Sequence, residues 1–452
     1  MVSLISAAKT VIETLNRRGY EAYFIGGKPR NELHNKFFPN DRVEIKDVDI
    51  VTNATPDDIQ KIFKKNKIQG VAFQVVNIYF AGFNFEIATY RHDNYDHSKT
   101  KKSKKIQKPI VEIAKDLDND RMRRDYTINT VAQDVNDEFI DYQYKYRNKK
   151  ISAIKDIENK IIRTIGNVRL RFEEDPLRIL RGFRFMSHLG YKFENQTLKI
   201  LGENIELLEK VPHERLSMEM NKIILGTHAS KALKLMRDVG IFNLKITSNV
   251  DSGVPFLFEL GKFSDSDYEL LDKLNAKNKY CNNELTAIEA WAVLLRPLGE
   301  DTAIKLLSDF QMLCNNDIEK TKWLIQNYDL VNSDDMRNDL FNARTGIVKK
   351  YEINALKDLI LRLNLIHIRL FGKPALEKTK KLMFSFCSRP YFHNQLNYNG
   401  QQLSEIANKK PGPWLDDVKE KILYKLINCD LYPRDEDAYL ELVNEAINEC
   451  SC

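Results

Sequence analysis

The chain has 452 residues, 30% of them charged and 43% hydrophobic, with a formal net charge of +6. That length excludes a single small core and points to about two to four domains. So small a net charge on a globular composition excludes a uniformly basic surface, so nucleic acid would have to meet local basic patches.

No stretch reaches the run of about 20 apolar residues that a membrane span needs. The first segment, Val2 to Leu15, has helical periodicity around Lys9 and lacks a signal-peptide cleavage pattern. All six cysteines lie after residue 280, at Cys281, Cys314, Cys387, Cys429, Cys450 and Cys452. None forms a Cys-x-x-Cys pair, so neither a zinc site nor a disulfide framework is expected, and a reduced, cytoplasmic protein is.

Tyr20 to Ile25 reads as a strand that runs into Gly26-Gly27-Lys28-Pro29-Arg30. Pro29 suits the first turn of a helix, where its missing N–H costs nothing. A Gly-Gly turn at a helix start lets backbone amides approach a phosphate, which Lys28 and Arg30 would neutralise. The next strand, Ile45 to Val51, carries Asp47 and Asp49. Residues i and i+2 of a strand share a face, so both carboxylates project together, opposite Val48 and Ile50. Alone, an Asp-x-Asp is an ordinary polar strand end. Facing a phosphate turn, it is a site for a cation, and Mg²⁺ prefers one or two carboxylates plus substrate phosphates. Phe83 to Tyr90 is a third strand, and its Glu86 is the candidate third acid of a catalytic set.

Six lysines between Lys99 and Lys108 make an exposed basic loop. Arg123-Arg124-Asp125-Tyr126-Thr127-Ile128-Asn129 follows, and adjacent arginines suit bidentate phosphate contacts. Beyond residue 150 the pattern turns helical, with 3.6-residue periodicity over 200–207, 215–225, 231–239, 284–295 and 302–312. Within Arg171 to Phe185, Asp175 is an N-cap and Pro176 a first helical residue. At about 100° per residue, Asp175, Arg178 and Arg181 occupy about a third of that helix's circumference, with Arg184 beyond it. An Asp and an Arg on one face supply the acceptor and donors needed to read the edge of a base.

Four ordered motifs then carry a resemblance: Gly26-Gly27-x-x-Arg30, Asp47-x-Asp49-Ile50-x-Thr52, Arg123 to Asn129, and Glu174-Asp175-x-x-Arg178. The chain resembles the bacterial class II tRNA nucleotidyltransferases, the CCA-adding enzymes together with the bacterial poly(A) polymerases. Ile161 to Gly166 with Arg171-Phe172, Glu214 to Met220, and the tail segment Gly400 to Trp414 extend the resemblance from about Tyr20 to the end. Two departures stand out. Asn31 and Pro29 replace the family's usual Asp and apolar residue, and Tyr142-Gln143-Tyr144-Lys145 stands where a Gly-Gly pair is usual.

The resemblance implies an α+β protein. A nucleotidyltransferase (polymerase-beta-like) head with a mixed sheet would span 1–150, followed by an all-helical neck (151–240), body (241–390) and tail (391–452) that hold tRNA. It implies addition of C, C and A to the tRNA 3′ end from CTP and ATP with Mg²⁺, without a template and with release of pyrophosphate. Asp47 and Asp49 would be the metal ligands. Gly27, Arg30 and Arg124 would lie at the triphosphate. Asp175 and Arg178 would read the base, supported by Arg181 and Arg184. A poly(A) polymerase, and an RNA-binding protein with a degenerate head, are the alternatives. Monomer and homodimer both remain open.

Overall fold

The structure, a computed structural model, describes residues 2–450 apart from 64–66, 73–74, 96–108, 147, 246–257, 282, 345–352, 429–432 and 434. The lysine-rich segment 99–108 therefore lies outside the described residues, as do Cys429 and Cys452. Two compact units divide the chain, Met1–Phe263 and Ser264–Cys452.

In the first unit, the helix Leu4–Asn16 is capped by the Ser3 hydroxyl, which accepts from the Ser6 amide, and it buries Ala7, Ala8, Val11, Ile12 and Leu15. That stripe packs on one face of a seven-stranded sheet, against Phe24, Ile50, Phe85 and Ile87. Up to residue 140 the strands, in chain order, are β1 (Ala22–Ile25), β2 (Asp49–Thr52), β3 (Lys67–Ala72), β4 (Val75–Phe80), β5 (Phe83–Thr89), β6 (Arg91–Asn94), β7 (Ile110–Ile113), β8 (Ala132–Gln133) and β9 (Phe139–Ile140). The sheet order is β3-β4-β5-β2-β1-β8-β9, while β6 and β7 pair separately. Only β2 and β5 run parallel among the sheet's described pairs, so the sheet is mixed, as expected.

The strand expected over Ile45 to Val51 begins only at Asp49, and Asp47 sits in the unpaired approach to it. The cause lies in β1. Its last residue, Ile25, pairs with Asp49, and the chain then turns away at Gly26 (φ 75°) into the helix Gly27–Phe37. On the β1 side no backbone is left opposite Asp47 to extend the ladder, although β5 continues back to Phe83 on the other. The alternation survives nonetheless, with Asp47 and Asp49 exposed and Val48 and Ile50 buried.

The remainder is mostly helical. The helices His213–Ile224 and Ala229–Asp238 lie where periodicity placed them. A parallel pair, Ile161–Ile162 with Lys192–Phe193, is the strand content the periodicity missed there. The helix expected over 200–207 is divided into Asn195–Gly202 and a 3₁₀ segment, Ile205–Lys210. Asn204 causes the break: its carboxamide donates to the Ile200 carbonyl (2.6 Å) and so competes with the helical ladder. The second unit is built on helices that include Ala287–Leu295, Glu300–Asp309 and Ile353–Phe371, with Trp291 and Trp323 fully buried. Near its end, Leu403, Val418, Ile422, Tyr439 and Val443 form a separate small core. Among the described residues, no helix is long and apolar enough to cross a membrane.

Candidate active site

The pairing of β2 with its two neighbours places the acids. Asp49 lies opposite Ile25 of β1 on one side and Glu86 of β5 on the other. Directly paired residues point to the same face of a sheet, so the two carboxylates share the face opposite the Ile50 and Phe85 core. Gly26 lies against Asp49. A Cβ there would stand 3.1 Å from Asp49 Oδ2, and the left-handed φ already favours glycine. Although Asp49 keeps surface exposure, the protein around its carboxylate displaces water and raises its pKa; the nearby Arg124 and Arg30 guanidinium groups lower it, and the charges of Glu86 and Asp47 raise it further. The carboxylates of Asp47, Asp49 and Glu86 make no hydrogen bond or ion pair among the described residues. Acids that feel one another's charge without a cationic partner are the oxygen donors a hard divalent cation takes. Among the described residues, no three His, Cys, Asp or Glu side chains converge as a complete set of metal ligands. A cavity of about 220 Å³ opens here, lined by Asp49, Glu86, Arg91, Arg123 and Arg124 among others.

The two arginines at its rim are held by a residue that the motif reading missed. Asp120 is fully buried; one carboxylate oxygen accepts from Arg123 (2.9 and 2.7 Å) and the other from Arg124 (3.2 and 3.0 Å). Asp120 stands three and four residues before them, on and just past the helix Leu117–Met122, which is the spacing that brings side chains together on a helix. Lys28, expected to neutralise a phosphate, instead points into the core. It is fully buried, donates to Gln133 Oε1, pairs with Glu32 (2.8 Å) and covers the Phe24 ring. Its place in the first turn turns its side chain inward, whereas Arg30 emerges. Pro29 does occupy that first turn, as expected. The amides of Gly27 and Lys28 precede the first intrahelical bond, which runs from the Arg30 amide to the Gly26 carbonyl.

Arg30 donates to Asn31 Oδ1 (3.0 Å) and Asn129 Oδ1 (2.6 Å). Asn31 in turn donates to the Glu44 carbonyl (2.9 Å), so the asparagine that departs from the family pattern ties the turn to the approach to Asp47. Burial, then the proximity of Arg184, pulls the Arg30 pKa down to about 10. Arg30, Arg181 and Arg184 surround one aromatic ring, with guanidinium carbons 5.2, 5.8 and 5.1 Å from the centre of Phe185. Arg181 pairs with Asp125 (2.7 Å) and Arg184 with Glu219 (3.0 Å).

Asp125 also accepts from the Tyr126 amide and from Asn129, and although burial opposes ionisation, Arg181 and these donors hold its carboxyl far below the usual range. Its folded pKa lies below its unfolded one, so Asp125 stabilises the fold above about pH 4, and that contribution is lost as pH falls further. The Asp125→Asn variant is expected to melt lower at neutral pH, yet to lose less on acidification below about pH 4. Melting curves across that range test this, and parallel profiles for the two proteins would refute it.

Asp175 and Arg178 are arranged differently from the expectation. The helix begins at Arg178 and ends at Leu189, while Asp175 precedes it in extended conformation (φ −142°), so helical angles do not relate the two. The N-cap position is Leu177 and carries no side-chain cap, so Asp175 is not the expected N-cap; it accepts from the Leu177 amide (3.3 Å) in the turn before the helix and pairs with Arg215 at 3.3 Å. Arg178 is buried and reaches back to Glu174 Oε2 (2.8 Å) and the Arg171 carbonyl (2.9 Å), and across to the Arg123 carbonyl (2.9 Å). Asp175, Arg178, Arg181 and Arg184 therefore each have a different partner, and the structure does not join them into one surface.

Residues 22–163 match the model of the poly(A) polymerase head domain, and 190–244 that of a probable RNA- and SrmB-binding site of polymerase A. The chain is 30% identical to the CCA-adding enzyme of Staphylococcus haemolyticus (strain JCSC1435) over 451 residues, covering 98% of each. It is 28% identical to that of Staphylococcus epidermidis (strain ATCC 12228 / FDA PCI 1200) over 446 residues, covering 96% of each. The crystal structure of the Bacillus stearothermophilus CCA-adding enzyme in complex with CTP superposes over all of both chains, with a TM-score of 0.72 and 25% identity. A similarity of that depth runs through the head and the helical remainder alike, and the chain belongs to the family of CCA-adding enzymes.

Proposed function

We propose that this protein is a CTP/ATP-dependent tRNA nucleotidyltransferase that adds C, C and A to the 3′ end of tRNA and releases pyrophosphate. The observation that carries this reading is the unpaired set Asp47, Asp49 and Glu86 beside a turn and a cavity rim furnished with arginines. Acids without partners next to cations with room for an anion are what phosphoryl transfer from a metal-bound triphosphate requires. The names of the relatives support the substrate class.

In this reading Asp47 and Asp49 hold Mg²⁺, with Glu86 as the neighbouring acid. The bound cation supplies charge stabilisation at the α-phosphate and at the departing pyrophosphate. Gly27 allows close approach of the phosphates to the helix start, and Arg30 and Arg124 balance their charge. Asp175 and Arg178 read the base, for which Asp175 must exchange its exposed partner Arg215; a surface pair of this kind is worth little and is readily exchanged. Arg181 and Arg184 keep the guanidinium cluster at the phosphates. Residues 1–150 serve as the catalytic head, 151–240 as the neck, and 241–390 and 391–452 as body and tail that grip tRNA, in a cytoplasmic setting.

The test uses tRNA lacking its 3′ end, offered CTP, ATP or both with Mg²⁺. Two C followed by one A is expected. Long A tracts would identify a poly(A) polymerase, and tRNA binding without incorporation would leave an RNA-binding protein.

A further inference from the structure

Between the phosphate turn and the helix Arg178–Leu189 runs a chain of hydrogen bonds that the roles above do not use. Arg30 Nη1 donates to Asn129 Oδ1 at 2.6 Å. Asn129 Nδ2 donates to Asp125 Oδ1 at 2.9 Å. Asp125 Oδ2 accepts from Arg181 Nε at 2.8 Å. Both middle residues are buried, Asn129 at 7% exposure and Asp125 at 8%. The short helical turn that carries Asn129 is itself anchored, because the Thr127 amide donates to the Arg163 carbonyl (2.9 Å) and the Thr127 hydroxyl to Asp156 (2.7 Å).

The chemistry of the link calls for an amide. Its oxygen accepts from one guanidinium while its nitrogen donates to a carboxylate, and no charged side chain does both. An aspartate at 129 would repel Asp125, and a lysine would repel Arg30. Arg30 depends on the link more than its neighbours do. Arg181 and Arg184 each contact a carboxylate, whereas Arg30 has only the amide oxygens of Asn31 and Asn129 among the described residues. Three guanidinium groups about Phe185 thus face two carboxylates, Asp125 and Glu219, and the surplus charge is on Arg30.

We propose that Asn129 is a positioning residue that, through Asp125, fixes Arg30 relative to Arg181. The arginine at the triphosphate and the helix at the base then hold one separation. A base seated correctly on the helix brings its phosphates to Arg30 without further adjustment. The inference rests on the reading of Arg30 as a triphosphate ligand.

A double-mutant cycle on the full-length protein tests it, using Asn129→Ala, Arg30→Ala and the pair, with Asn129→Ser alongside because it disturbs packing less. Asn129→Ala is expected to raise KM for both CTP and ATP about tenfold, the loss that one hydrogen bond to a charged group carries, with KM for tRNA unchanged. In the Arg30→Ala background the same change should have no further effect on nucleotide KM. A merely structural asparagine would instead lower kcat and the melting temperature together and add its effect to that of Arg30→Ala. Additive effects, or a nucleotide KM unmoved in Asn129→Ala and Asn129→Ser while Arg30→Ala raises it, overturn the link alone. A nucleotide KM unmoved in Arg30→Ala overturns the triphosphate reading and the link with it.

Discussion

Asp49→Ala is expected to abolish nucleotide addition, lowering the single-turnover rate by about 10³-fold or more, because a metal-assisted displacement draws several kcal/mol from charge stabilisation at this point. The same variant should bind tRNA as the unaltered protein does, since Asp49 opens its strand at the end of the sheet and its carboxylate makes no hydrogen bond or ion pair with another described residue. Loss of activity through unfolding has a distinct signature. Displacement of water and the charges of Glu86 and Asp47 raise the Asp49 pKa, so in the fold its charged form is disfavoured relative to the unfolded chain. Above both pKa values that charge weighs against folding, and removing it should leave the melting temperature at neutral pH unchanged or higher. Inactivity together with undiminished thermal stability is therefore the expected pair of results, checked by incorporation of CTP into tRNA and by a melting curve. Wild-type turnover would sink the metal assignment, and a large drop in melting temperature would show that Asp49 supports the fold rather than the chemistry. Asp47→Ala should likewise abolish addition while leaving tRNA binding intact.

What could be read beforehand was local. Gly26-Gly27 before a helix, alternating acids and apolar residues from Asp47 to Ile50, and helical stripes such as 215–225 depend on spacings of a few residues, which the backbone repeats enforce. Strand pairing was less legible. That Asp49 would lie beside Glu86 follows from a parallel register between β2 and β5, which no local pattern specifies. Charged side chains gave the least warning. Lys28 and Arg30 differ by two positions, yet one lies under Phe24 and Gln133 and the other emerges at the site. Helical phase decided that, and a turn rich in glycine hides its phase. Placing Asp175 and Arg178 on one helical face requires a helix that starts at Pro176, whereas the helix starts at Arg178. The extended backbone at Asp175 sets its side chain apart. The buried acids Asp120, Asp125, Glu174 and Glu219 look like surface charges until the arginines they hold are known. A run dense in arginine needs buried acids nearby, and that need was the available signal.

Arg178→Ala carries the second large effect, and the structure splits it in two. The guanidinium joins Glu174, the Arg171 carbonyl and the Arg123 carbonyl, so it ties the start of the helix Arg178–Leu189 to the Arg123-Arg124 segment that rims the acidic cavity. Removing it leaves Glu174 buried with Arg171 as its remaining cation and leaves the Arg123 carbonyl without this donor. Breaking a buried, hydrogen-bonded pair costs about 3 kcal/mol, which in a unit of this size lowers the melting temperature on the order of 6–12 °C. Arg178→Lys should recover only part of this, because one ammonium cannot meet three separated acceptors as a planar guanidinium does. The second effect concerns choice of nucleotide. Assayed well below both melting temperatures, the variant should discriminate poorly between CTP and ATP at each step, since the donors opposite Asp175 at the base edge are gone. Unchanged selectivity in folded Arg178→Ala would remove Arg178 from the base-reading role while leaving its structural one. An unchanged melting temperature would do the reverse, assigning its three hydrogen bonds to a conformation that the protein leaves without cost.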